Sequence, residues 1–122
     1  MGKKLIITLT LIFFGSAGLF SQNQNNEKYR KDSIAIETQL DSIEKYINFN
    51  EHQTAYKFTL EGLERFSNTS YKIGKIKLLE RAASINCHYE YKLDSSVFYL
   101  NEMRKLSTEI GFKKGLLWYE NT

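Results

Sequence analysis

Proline is absent from the 122 residues, cysteine occurs once and glycine seven times. Without proline no helix is broken by the ring's clash with the preceding turn, and so few glycines favour helices joined by tight turns. A lone thiol, Cys87, cannot close an internal disulfide, so the fold carries no covalent staple. No cysteine adjoins the N-terminal apolar run, which excludes an acylated-cysteine lipoprotein anchor there. The first 26 residues contain no acid, and Lys3 and Lys4 are their only charges; without these two the formal charge of +3 falls to +1. The basic balance therefore belongs to the N-terminus, and the electrostatic footprint of a nucleic-acid binder is lacking. The apolar run from Leu5 to Phe20 is also short of the ~20 residues of a comfortable membrane span.

What stands at the N-terminus is a sequence of Lys3-Lys4, an apolar stretch, and the small residues Gly15, Ser16, Ala17 and Gly18. That order describes a secretory signal peptide. Cleavage after Ala17 or after Ser21 fits, with an uncleaved anchor as the alternative. The ending Leu19-Phe20-Ser21-Gln22 resembles signal peptides of Bacteroidota and so favours a mature terminus at Gln22. The expected organisation is a signal peptide over 1–21, a polar leader over 22–26 and one helical domain over 27–122. The expected location is exported, periplasmic or secreted, with membrane contact only through an uncleaved signal or a downstream span.

Apolar spacing predicts four helices and the start of a fifth. The first, 27–49, carries Ile36, Leu40, Ile43 and Ile47 on one stripe. Asn50 is placed to cap the second, with Gln53 reaching back as in a capping box. That helix, 51–66, carries Tyr56, Leu60, Leu63 and Phe66. Ser67-Asn68-Thr69-Ser70 is a turn cluster, and the third helix, 71–89, carries Ile73, Ile76, Leu79, Ala82, Ala83 and Ile85. The fourth follows Asp94 as N-cap, carries Val97, Leu100, Met103 and Leu106, and ends at Gly111.

Tyr71-Lys72-Ile73-Gly74-Lys75-Ile76 and Phe112-Lys113-Lys114-Gly115-Leu116-Leu117 are matching stretches 41 residues apart. A fixed period of this size marks a repeat architecture, in which each unit buries its apolar face on the next. Together with Tyr91-Lys92-Leu93-Asp94-Ser95-Ser96 and Ile110-Gly111-Phe112-Lys113-Lys114-Gly115, they resemble tetratricopeptide repeats of the long, forty-residue class. The resemblance covers 48–122 closely and 27–49 loosely. It implies antiparallel helix-turn-helix units stacked as a short right-handed α-solenoid, an all-α fold left incomplete at the C-terminus. It places small packing residues at Ala55 and Gly62 and, one unit later, at Ser96 and Met103; a one-residue slip to Tyr56 and Leu63 fits the apolar stripe equally well. Gly74 and Gly115 open successive units. The family's first-helix glycine and tyrosine fall on Ser84 and Cys87, and its closing proline is absent. The C-terminal segment Leu116-Leu117-Trp118 starts a unit whose partner helix would lie past Thr122, so a longer native protein is expected.

Catalytic and metal chemistry find little support. Cys87-His88 is the only adjacent soft-ligand pair, and zinc needs four ligands at recognisable spacing. Neighbours on a helix point about 100° apart, which prevents a Cys–His nucleophilic pair. Cys87 is expected on the inner helix face as a small hydrophobe. Asp41/Glu44 and Glu61/Glu64 are explained by solvated faces, and no phosphate-binding glycine loop occurs. The sequence therefore predicts no enzyme, no metal and no cofactor. Lys72, Lys75, Lys77 and Arg81, then Lys113 and Lys114, crowd helix starts, where each exposed cation opposes the macrodipole by roughly 0.3–1 kcal/mol. They form either a rim for an acidic partner or an ordinary solvated edge. The aromatics Tyr89, Tyr91, Phe98, Tyr99, Trp118 and Tyr119 serve either inter-repeat packing or a binding groove. The expected function is a protein- or peptide-binding scaffold; the alternative is the periplasmic sensory region of a membrane-bound histidine kinase or DNA-binding response regulator.

Overall fold

A computed structural model describes residues 26–113. The chain divides into two compact units, Met1–Lys31 and Asp32–Thr122. Of the first, residues 26–31 are described; they are helical, with Lys31 Nζ 3.4 Å from Glu27 Oε1. The described residues hold four helices and no strand: α1 over residues 26–48, α2 His52–Arg65, α3 Lys72–His88 and α4 Leu93–Ile110. The expected all-α class is thus what the structure shows. The connecting turns, 49–51, 66–71 and 89–92, are short enough that consecutive helices pack as antiparallel neighbours.

Asn50 ends α1 rather than capping α2. It sits at φ 60, its N–H reaches the Ile47 carbonyl at 3.0 Å, and the Glu51 N–H reaches that of Tyr46 at 2.8 Å. These are the two bonds of a Schellman closure, and asparagine is the commonest non-glycine residue to accept the left-handed conformation it needs. Glu51 becomes the N-cap of α2 with no side-chain cap bond, so the expected Asn50–Gln53 box does not form. Asp94 is displaced likewise. Tyr91 takes φ 56, the Lys92 N–H bonds the Asn86 carbonyl at 2.8 Å, and Lys92 is the N-cap of α4. Asp94 lies within the first turn, where a carboxylate still favours the helix dipole. Gly111 closes α4 at φ 68 as expected.

Two apolar clusters meet along α3. Ile36, Leu40, Ile43, Ala55, Phe66, Leu78 and Ile85 form the first, with Ile47 and Tyr46 against it. Ile76, Leu79, Met103 and Leu106 form the second, flanked by Leu63, Tyr99, Leu100 and Phe112. Since α3 contributes to both, it is buried on two flanks: Gly74, Leu78 and Asn86 join the expected Ile76, Leu79, Ala82, Ala83 and Ile85, while Ile73 is only half-buried. In α2 the buried line is Ala55, Thr59 and Gly62, and Leu60 is exposed. Gly62 is a close approach, since a Cβ there would come within 3.1 Å of Gln39 and 3.2 Å of Leu78, while Tyr56 and Leu63 pack half-buried against the same cluster. In α4, Ser96, Met103, Leu106 and Ser107 are buried and Val97 is not. Cys87 is half-buried, not on the fully packed face.

The 41-residue period recurs in backbone geometry. Asn50 and Tyr91 share the left-handed conformation, Glu51 and Lys92 are equivalent N-caps, and Ala55 and Ser96 donate to them at the same 3.0 Å. Ala55 matches Ser96 and Gly62 matches Met103 as buried contacts. Tyr71 and Phe112 precede equivalent helix starts at Lys72 and Lys113.

Candidate interaction site

The basic rim is largely committed within the molecule. Lys77 Nζ lies 2.7 Å from Glu37 Oε1, which also accepts from the Tyr71 hydroxyl at 2.6 Å. Burial raises the Glu37 pKa, but the bonds from Lys77 and Tyr71 and the Lys77 charge outweigh it, and the carboxyl ends below its ordinary 4.5. Its contribution to stability is therefore present above that value and lost as pH falls through the lowered one. Lys75 Nζ donates to the Ser67 carbonyl at 3.0 Å, binding the α2–α3 turn. In the same turn the buried Thr69 hydroxyl donates to Asp32 Oδ2 at 2.7 Å and accepts from the Tyr71 N–H at 3.1 Å. Lys72 and Lys113 make no such bond to another side chain among the described residues and remain as the rim's two outward cations, Lys72 half-buried and Lys113 exposed. Lys114, like Gly115 and the cleavage residues Ser21 and Gln22, lies outside the described residues.

Further along the α1–α3 line, Arg81 reaches Glu44 at 2.9 Å and Glu80 at 3.5 Å. Burial, joined by the Glu44 charge, pushes the Glu80 carboxyl above 4.5 against the opposing pull of Arg81 and His88. Glu37–Lys77 and Glu44–Arg81 thus form a polar ladder that sequence reading missed. Its signal was present: each acid follows a stripe residue, Ile36 or Ile43, by one position, about 100° round the helix.

A second polar connection lies between α2, α3 and α4. Asn86, fully buried, donates through Nδ2 to the Tyr56 hydroxyl at 3.2 Å and to the Ala82 carbonyl at 2.9 Å. Tyr99 bonds the same Tyr56, and burial together with that bond pushes its phenol up to about 12. An absorbance titration of tyrosinate should show one late-titrating phenol that disappears in Tyr99→Phe; superposable curves would remove the assignment. Because the unfolded phenol ionises near 10, the Tyr99 contribution holds below pH 10 and is lost as pH climbs through 12.

The packing residues predicted from sequence, Ala55, Gly62, Gly74, Ser96 and Met103, are all buried where helices touch. Ser96 Oγ additionally donates to the Ala83 carbonyl at 2.9 Å, tying α4 to α3. The histidines do not meet Cys87 in a ligand set. His52 stacks on Tyr89 with ring centres 3.6 Å apart, and His88 is exposed. Among the described residues no group of three metal-binding side chains occurs, and no helix is long and apolar enough to cross a membrane. What the surface offers is contact area: an open groove between α1 and α2 lined by Ala35, Thr38, Gln39, Phe58 and Arg65, and an apolar outer face on α4.

Comparison with known proteins is silent. No family model, curated protein or solved structure matches the chain. Any functional reading has to rest on the geometry just described.

Proposed function

We propose that this protein is a non-enzymatic, exported interaction scaffold of tetratricopeptide type, whose helix pairs stack as a right-handed superhelix and bind a protein or peptide. The observation that supports this best is the 41-residue recurrence of turns, caps and buried contacts: Asn50 with Tyr91, Glu51 with Lys92, Ala55 with Ser96, Gly62 with Met103. Repetition of that kind builds continuous surface along a stack, and such surface is suited to recognition rather than to enclosing a reaction. With Lys75 and Lys77 occupied internally, an acidic partner would be met through Lys72 and Lys113.

The reading is tested by placing a photo-crosslinker at the exposed Ser70, beside Lys72, of the full chain in the cells that produce it. The expected result is one discrete partner, recovered with a chain whose mass begins at Gln22. Charge reversal of both lysines should abolish the adduct and leave thermal stability unchanged. An adduct indifferent to charge reversal removes the rim, and retention of residues 1–21 in a cytosolic fraction removes export.

A further inference from the structure

We draw no further inference here: the strongest candidate, the exposed apolar outer face of α4 formed by Leu93, Val97 and Phe98, carries nothing, because nothing in the structure shows what covers it.

Discussion

Ile36→Ala is expected to destabilise the helical unit by about 2–5 kcal/mol. Ile36 is fully buried in the cluster that joins α1 to α2 and α3, and its Cγ2 lies against the backbone of Gly74. Removing the side chain forfeits its transfer free energy and leaves a cavity, because neighbours on three helices cannot all collapse into the space. A domain of this size has about 5–15 kcal/mol of stability in all, and each kcal/mol is worth roughly 4–8 °C in Tm. A drop of roughly 8–40 °C is therefore expected in calorimetry. A variant melting within a few degrees of wild type would mean that α1 is not docked as described. Ile34, exposed on the same helix, is the control, and its alanine variant should change Tm little.

Gly74→Ala should also destabilise, against the usual gain of about 1 kcal/mol when alanine replaces glycine in a helix interior. A Cβ at Gly74 would stand 2.5 Å from two ring carbons of Tyr71 and 2.8 Å from Ile36 Cγ2. The ring is not free to yield, since its hydroxyl is bonded to Glu37 at 2.6 Å. Either the ring moves and the Glu37 bond breaks, or α3 backs away from α1. Overpacking of this kind costs typically ~1–3 kcal/mol, enough to reverse the propensity gain, and Gly74→Val should be worse than alanine. Chemical denaturation checks both, and an alanine variant more stable than wild type would contradict the close approach.

Much of the fold was legible because one-sided helices announce themselves. In the α1 stripe Ile36, Leu40 and Ile43 are buried as the spacing predicts and Ile47 is half-buried against them, and Gly111 ends α4 as glycine should. Errors arose where a helix has more than one buried side or buries small residues. Because α3 faces both clusters, a single-stripe reading missed Leu78 and overvalued Ile73. α2 touches its neighbours through Ala55, Thr59 and Gly62, none of which stands out in an apolar pattern, whereas that pattern points to Leu60, which is exposed. At the turns, side-chain chemistry pointed to Asn50 and Asp94 as caps, but backbone closure decided the matter through left-handed Asn50 and Tyr91. Tyr91 was the harder of the two to foresee, since tyrosine has no local preference for that conformation. Of the candidate site, the packing residues were readable from sequence and the ion-pair partners were not. Which acid neutralises Lys77 or Arg81 depends on the rotation of α1 against α3, a tertiary fact.

The double burial of α3 has a consequence for how the unit comes apart. Its residues complete the cluster before it and the cluster after it, so an end helix can fray while the opposite cluster stays shut, but α3 cannot. Loss of α3 order exposes both at once, and fraying from an end stops at this helix. The two halves are thereby locked into a single all-or-none transition, although their sequence is written as successive copies.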